Sequence, residues 1–309
     1  MPGVVPGIHV LLGTNERRGW PGIRAFTPVF DGLCPAMTGL GSNSMSDDVH
    51  EIYAIKYGHH DRKAAENYIG GDPHDVNDPL DFFVWAIVGP SGTIVVDTGF
   101  DAVMAKKRNR VLLKPVAQGL KSIDVAPDKV ANVIVTHLHY DHTGNYECFP
   151  NARYHLQDTE MAYATGRCMC HALLRLPFEE EDVVAMVRKV FAGRVTFHDG
   201  VSQVAPGVLV HKIGGHSKGL QCVSVKTKRG PVVLASDATH LYAHIEGGRV
   251  FPITYNVGEV LDGYDTIKKI APSASHIVPG HDPRVVERYP AARPGLEGWV
   301  ARLDVEPKS

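Results

Sequence analysis

The stretch "THLHYDHTGN" at residues 136–145 places three histidines and one aspartate within the six positions from His137 to His142. It continues the apolar run "NVIVT", which is typical of a short buried strand. Side chains two positions apart in an extended chain lie on the same side, so His137 and His139 can reach one metal ion. Asp141 and its histidine neighbour diverge from that pair. The spacing therefore predicts halves of two metal sites rather than one complete site.

Each half-site needs further ligands, and three residues at the ends of predicted strands are candidates. His216 lies in "IGGHSKG", Asp237 ends the apolar run "VVLASD", and His281 ends "HIVPGH". Because all three follow strands, as the histidine cluster does, we expect them to converge with it at one edge of a sheet. The chain has 17 histidines, and this clustering argues against scattered surface positions.

The composition restricts the class of partner and the compartment. The formal net charge is -2, which offers no electrostatic attraction to nucleic acid or to an anionic membrane. No apolar run reaches about 18 residues, so we expect no membrane span. The N-terminus lacks a signal-peptide pattern, and the five cysteines fit no zinc or disulfide framework. We therefore expect reduced thiols, a cytoplasmic location and a small-molecule substrate.

The order of predicted elements indicates a layered α/β domain with a β-rich core. Residues 1–45 are rich in Gly and Pro, and we expect an extension that packs on the main domain or on a partner subunit of a possible homodimer. Residues 46–309 form the predicted main domain, in which strands such as "DFFVWAIVG" and "GTIVVDTGF" alternate in blocks with helices. One helical stretch, residues 101–120, is expected to break at Pro115. No G-x-G-x-x-G follows a strand, which disfavours a Rossmann fold.

In these residues and their order, the chain resembles the metallo-β-lactamase superfamily. The resemblance is carried by "HLHYDH", by the three later positions and by "VVDTG" at 95–99, and it runs from about Val49 to His281. It implies an α/β fold, a four-layer αβ/βα sandwich with a dimetal site at one edge of the two sheets. It also implies a ligand set, in which one residue bridges the two metals: His137, His139 and His216 for the first metal, Asp141, His142 and His281 for the second, and Asp237 as the bridge.

The ligand set distinguishes among the subfamilies. A bridging aspartate with three ligands on each side resembles lactonases and glyoxalase II rather than the true β-lactamases. Only 28 residues follow His281, too few for the glutathione-binding helical region of glyoxalase II. The stretches "YAIKYGHHDR", "LDFFVWAI" and "SDATH" are similar to N-acyl homoserine lactone lactonases.

We therefore predict a dimetal hydrolase that opens a lactone ring, with N-acyl homoserine lactones (quorum quenching) as the leading substrate. The alternatives are hydrolysis of another cyclic ester, amide or thioester, and an iron-containing redox or sensor protein. Metal binding lowers the pKa of water from 15.7 to about 7, so hydroxide is available to attack the carbonyl. His and Asp ligands suit Zn(II), our default, and also Fe, Mn or Co.

Four residues have predicted catalytic or supporting roles. Asp141 or Asp237 can orient the hydroxide and later pass its proton to the leaving oxygen. The resemblance places His240 where the lactonases carry a substrate-contacting tyrosine. His240 can donate the same hydrogen bond as that tyrosine. Alternatively, the replacement indicates a different lactone or ester as substrate, or His240 is a surface histidine. Asp97 is expected to fix a ligand imidazole by a hydrogen bond, with a turn cap as the alternative.

The substrate contacts are less specific in the sequence. Five residues lie in segments that can flank the site, and of these we expect the last two to be core: His59, His60, Phe82, Phe83 and Trp85. Residues 160–192 can form one wall of the pocket, with three apolar candidates: Met161, Tyr163 and Met169.

Overall fold

Two β-sheets form the centre of the structure, a computed structural model that describes residues 48 to 308. The predicted extension, 1–45, lies outside the described residues. Within them, the larger sheet has the strand order β13-β1-β2-β3-β5-β6-β7, with β4 pairing to β1, and the smaller sheet has the order β12-β11-β10-β9-β8. The strands are β1 Glu51–His60, β2 Leu80–Gly89, β3 Gly92–Val96, β4 Val111–Leu112, β5 Asn132–Ile134, β6 Arg153–Gln157, β7 Val195–His198, β8 Val201–Ala205, β9 Val208–Lys212, β10 Gln221–Thr227, β11 Gly230–Ser236, β12 Ile277–Pro279 and β13 Val300–Arg302.

Eight α-helices accompany the sheets in this part of the chain. They are α1 Ala102–Arg108, α2 Val116–Lys121, α3 Asp158–Ala164, α4 Ala172–Arg175, α5 Glu180–Phe191, α6 Tyr242–Gly247, α7 Val257–Ile270 and α8 Arg284–Arg288. None of these helices has the length and apolar character needed to cross a membrane.

The central strands are apolar throughout because both of their faces are buried. Successive side chains of a strand point to opposite faces, so β2 divides between two cores. Phe82, Val84 and Ala86 pack in the outer core of the larger sheet. Their neighbours on the opposite face pack in the core between the sheets: Phe83, Trp85 and Ile87. A strand buried on both sides reads as a continuous apolar run, which is why "LDFFVWAIVG" shows no alternation.

Three separate cores produce four layers. The outer face of the larger sheet packs against α2 and α5, and the middle core lies between the two sheets. The third core joins the smaller sheet, through Cys222 and Val233, to α7, through Tyr264 and Ile267. Helices thus cover the outer face of each sheet, which confirms the predicted four-layer αβ/βα sandwich.

Local signals in the sequence fix several helix ends. α5 has three acidic residues in its first turn, which favour the positive end of the helix dipole, and Gly193 follows it with φ of 68°. α7 begins at Asn256, whose side chain accepts a hydrogen bond from the backbone of Glu259.

The helical prediction for residues 101–120 is wrong in its middle. α1 ends at Arg108 because Asn109 takes the left-handed conformation, with φ of 53°. The next residues form β4, which pairs with β1 at Gly58 and His59, before α2 begins after Pro115. Pairing with a neighbouring strand outweighs local helix propensity here. The strands β8 and β13 were not predicted.

We expect Trp85→Ala to lower the free energy of unfolding by about 3–5 kcal/mol, because it empties the site of a large, fully buried side chain in the middle core. Urea unfolding of the purified protein measures this change. Phe191→Ala is the matched control, since that side chain is 89% exposed and its loss is expected to change stability by less than about 0.5 kcal/mol. Equal changes in the two variants would contradict the layered packing.

Candidate metal centre

The predicted ligands come together at neighbouring edges of both sheets, not at one edge of a single sheet. The loop from His137 to His142 follows β5 in the larger sheet. In the smaller sheet β11 and β12 are parallel, and Asp237 and His281 follow their carboxyl ends. β9 runs in the same direction as β11, since each is antiparallel to β10, and His216 follows its end. Strand direction therefore delivers all seven residues to one place.

The carboxylate of Asp237 lies at the centre of the cluster, 2% exposed. Its Oδ2 atom is 3.2 Å from His216 Nε2 and 3.9 Å from His137 Nε2. Its Oδ1 atom is 3.2 Å from His142 Nε2 and 3.0 Å from His281 Nε2, and the latter nitrogen is also 3.1 Å from Oδ2. The two oxygens thus face different histidines, except that His281 lies close to both.

The donor atoms fall into groups that match the two predicted half-sites. One atom from each residue of a group lies within 4.8 Å of the others, and the first group contains His137, His139 and His216. The second group contains Asp141, His142, Asp237 and His281. A third group joins His216 and Asp237 to His240.

Hydrogen bonds to the far side of the rings orient the histidines. His142 Nδ1 lies 2.8 Å from Asp97 Oδ2, the contact expected for Asp97. His216 Nδ1 lies 2.7 Å from the carbonyl oxygen of Ile253. His281 Nδ1 lies 2.9 Å from the carbonyl oxygen of Asp81. With Nδ1 held by the protein, each Nε2 points into the cluster, the usual arrangement for imidazoles that bind metal.

The buried atoms of the cluster fit a pair of divalent cations. Among the described residues, Nε2 of His137, His142 and His216 and Oδ1 of Asp237 are buried without a hydrogen-bond partner. A buried polar atom without a partner costs free energy, so a cluster of them requires a ligand. Nitrogen and carboxylate oxygen are the donors that zinc and related ions take.

The electrostatics of the cluster differ between its histidines. Burial lowers the pKa of His137 and His139 well below the usual value, and repulsion from neighbouring histidines adds to this effect. Burial by itself would lower the pKa of His142 and His281 and raise that of Asp237, but the facing carboxylate raises the first two, and these histidines lower the pKa of Asp237 well below its usual range. An ionised carboxylate thus lies between neutral imidazoles and imidazoles that attract positive charge.

Glu160 is an important residue that sequence reasoning missed. Its buried carboxylate accepts hydrogen bonds from the backbone N–H of Leu138, at 2.9 Å, and from Ser217 Oγ and Gly219 N, at 2.7 and 2.9 Å. It therefore ties the loop of His137 to the loop of His216. Gly219 permits this approach, because a Cβ there would lie 2.1 Å from the Glu160 nitrogen. The only local signal was a glutamate in the first turn of a helix.

His240 lies beside the predicted metal ligands and not on the surface. Its ring stacks on Phe251 with centroids 3.7 Å apart, and its Nε2 atom is 3.0 Å from Asp237 Oδ2. The residue is 7% exposed and lines the cavity over the cluster. Tyr242, two positions on, instead packs in the middle core.

A cavity of about 320 Å³ opens onto the cluster. Of the five predicted flanking residues, it is lined by His60 and Phe82, whereas Phe83 and Trp85 belong to the middle core as expected. His59 is held away from the cavity by Asp81, whose Oδ1 lies 2.7 Å from its Nδ1.

The segment 160–192 does reach the cavity, through Leu176 and Pro177. The three apolar residues predicted from it lie elsewhere: Met169 lines an adjoining cavity of about 770 Å³, Tyr163 lines one of about 60 Å³, and Met161 packs against the outer core. The sequence did not distinguish these positions because all of them are apolar.

Comparison with known proteins identifies the family. The family model described as "Metallo-beta-lactamase superfamily" matches residues 79–281. The N-acyl homoserine lactonase of Bacillus thuringiensis is 29% identical over 128 residues, which cover 41% of this chain and 46% of that protein. An N-acyl homoserine lactonase of a Bacillus species is 26% identical over 184 residues, covering 54% of this chain and 68% of that protein. The chain thus spans about half the length of the first of these relatives.

Solved structures share the fold at low sequence identity. A quorum-quenching N-acyl homoserine lactone lactonase superposes with a TM-score of 0.64 at 23% identity, covering 77% of this chain and 94% of the other. A dizinc quorum-quenching lactonase superposes with a TM-score of 0.60 at 13% identity, covering 76% of this chain and 92% of the other. The family match and the shared fold agree with the predicted enzyme class, a metal-dependent hydrolase. The chain belongs to the metallo-β-lactamase superfamily.

Proposed function

We propose that the chain is a metal-dependent hydrolase that opens a lactone ring with the help of two divalent cations. The proposal rests chiefly on one observation, the grouping of six side-chain donors around the buried carboxylate of Asp237. The names of the relatives in the family, which are lactonases, support the choice of a lactone as substrate.

The proposed ligands are the seven predicted ones, in the two groups already described. His137, His139 and His216 hold one cation, Asp141, His142 and His281 hold the other, and Asp237 serves both. When bound, the cations lower the pKa of water and polarise the ring carbonyl. Zinc is our choice of metal, and Fe, Mn or Co also suit this donor set.

The side chains around the cations move the proton and stabilise the developing charge. Asp141 and Asp237 accept a proton from the attacking water, and one of them returns it to the ring oxygen as the C–O bond breaks. Burial lowers the pKa of His240, so its imidazole is neutral and donates a hydrogen bond from one ring nitrogen. We propose that this nitrogen is Nε2 and that it stabilises the negative charge on the carbonyl oxygen.

The names of the relatives support N-acyl homoserine lactones as one candidate class of substrate. A different lactone is the other candidate, and two cationic side chains in the cavity, Arg62 and Arg110, favour it. Metal analysis together with turnover on a panel of lactones tests the proposal. A fully metallated protein that opens no lactone would refute it, and reversible redox chemistry would favour the iron-containing alternative.

We expect Asp237→Ala to lose both bound metal and activity, because one carboxylate serves two cations. Replacing even a hydrogen-bond partner of a ligand costs about 10- to 100-fold, so the loss of activity should exceed about 100-fold. Metal content by mass spectrometry and lactone turnover measure the two effects. Asp262→Ala, an exposed change on α7, is the control and should retain both. Full activity of Asp237→Ala would contradict the bridging role.

We expect His240→Phe to keep both metals and to lower kcat by about 100-fold, the usual cost of losing one donor to a developing oxyanion. The aromatic ring preserves the stacking on Phe251. The exposed His171→Phe is the matched control. Unchanged kinetics would show that His240 is a bystander, and loss of metal would show that it is a ligand.

We expect Glu160→Gln to destabilise the fold by about 1–3 kcal/mol and to weaken metal retention. A glutamine amide offers one acceptor oxygen to three donors that now share two. Urea unfolding with and without zinc, and metal content after dialysis, measure the change. Exposed Glu181→Gln on α5 is the control. If Glu160→Gln behaves like this control, the proposed link between the two ligand loops is wrong.

A further inference from the structure

Two arginines line the cavity over the metal centre without a carboxylate partner. Arg62 and Arg110 both contribute to its wall, together with Asp141 and His281. No salt bridge within 4.0 Å joins either guanidinium to an acidic residue in the described part of the chain. Partly buried cations usually have such a partner.

Neutral groups hold Arg110 in place. Its Nε donates to the hydroxyl oxygen of Tyr140 at 2.9 Å, and its Nη1 donates to the carbonyl oxygen of Arg108 at 2.7 Å. The same Nη1 lies 3.1 Å from His60 Nε2. These contacts fix the orientation of the guanidinium and leave its charge uncompensated.

Arg62 likewise makes no salt bridge within 4.0 Å to any described acidic residue. It donates through Nη2 to the carbonyl oxygen of Glu66, while its Nε is buried without a hydrogen-bond partner. The two acidic side chains that raise its pKa have other hydrogen-bond partners. The Glu66 carboxylate accepts from the backbone of Lys63, and the Asp78 carboxylate accepts from Asn67 Nδ2.

The positive charge of Arg110 acts on both Arg62 and His60. Burial lowers the pKa of Arg62, the Glu66 carboxylate raises it, and the charge of Arg110 lowers it. Burial, together with both arginines, lowers the pKa of His60 to about 4. His60 is therefore neutral at pH 7 and does not add to the charge. Two like charges held together without a counter-ion cost free energy, unless a ligand supplies the anion.

A second cationic group extends the positive wall. Lys107 and Arg108 also line the cavity. Both bind the same carboxylate, Glu179, with Lys107 Nζ at 2.5 Å and Arg108 Nε at 2.8 Å. One carboxylate offsets only one of these two charges. The other carboxylates of the cavity, Asp141 and Asp237, are assigned to the metal centre.

We propose that Arg62 and Arg110 bind a carboxylate substituent of the substrate, so that the preferred substrate is an anionic lactone and not a neutral N-acyl homoserine lactone. This inference rests on the proposed lactonase function. In the reaction, water adds to the ring carbonyl, the ring C–O bond breaks, and a proton passes to the released hydroxyl. The new carboxylic acid ionises, so a monoanionic lactone becomes a dianionic hydroxy acid with release of one proton.

Two lactones that differ only in charge test the proposal. We compare γ-butyrolactone-γ-carboxylate with its carboxamide, which has nearly the same shape and is neutral, on the zinc-loaded protein. The expected result is a kcat/KM at least about tenfold higher for the carboxylate, the value of a hydrogen bond to a charged group. Equal rates for the two lactones would overturn the anion site and leave the lactonase proposal intact.

Substitutions of the two arginines test whether these side chains cause the preference for the carboxylate. Arg62→Gln and Arg110→Gln should lower the carboxylate-to-carboxamide ratio of kcat/KM by about tenfold each, while Arg62→Lys should retain part of it. The ratio is informative even if a variant is partly unfolded, because lost protein lowers both rates equally. Arg153→Gln, an exposed change on β6, is the control. A preference that persists in both variants would overturn the assignment.

A binding measurement separates this inference from the proposed function. The probe is the ring ketone in which CH₂ replaces the ring oxygen of the same acid, since it cannot be hydrolysed. Calorimetric titration should show tighter binding of the acid than of its amide, and Arg62→Gln should weaken only the acid by about tenfold. Acid binding that is unaffected by the variants would overturn the inference. If the acid does bind through the arginines but no lactone is opened, the lactonase proposal fails and the anion site remains.

Discussion

The site depends on one buried carboxylate. Asp237 is an ionised group with almost no contact with water, and such a group is stable only if positive charge or hydrogen bonds surround it. His137 and His139 supply no positive charge because burial lowers their pKa, whereas Asp237 raises the pKa of His142 and His281. The loops that carry these imidazoles are held by Glu160, and their rings by Asp97 and two backbone carbonyls. The scaffold is therefore arranged for cations, and much of the local structure serves to keep the nitrogen atoms pointing inward.

The sandwich explains why this arrangement is possible. Each sheet is buried on both faces, so its strands are fixed by cores on two sides and their ends are held rigidly. Residues that follow parallel strands emerge at the same edge, and the packing of the two sheets brings one such edge against the other. A site assembled from strand ends of two sheets thus has the rigidity of the cores beneath it, although its residues lie in loops.

The residues in the walls of the cavity and those in its floor relate to different aspects of function. The floor holds the predicted metal ligands, whereas the walls contain Arg62, Arg110 and His240, for which we propose contacts with the substrate. His240 stacks on Phe251 beside the carboxylate of Asp237. Family membership therefore constrains the chemistry more strongly than the substrate, because the two depend on different side chains.

The sequence by itself determined the fold family and the seven-residue cluster, because the spacing "HLHYDH" and the strand-end positions are local features. It also predicted the contact between Asp97 and an imidazole. It did not reveal the roles of Glu160, Leu176 or the two arginines, which are common residue types in unremarkable local patterns. Tertiary structure alone decided these roles. Whether a glutamate binds backbone amides, or an arginine lacks a partner, depends on residues that are distant in the chain and meet only when the sheets pack.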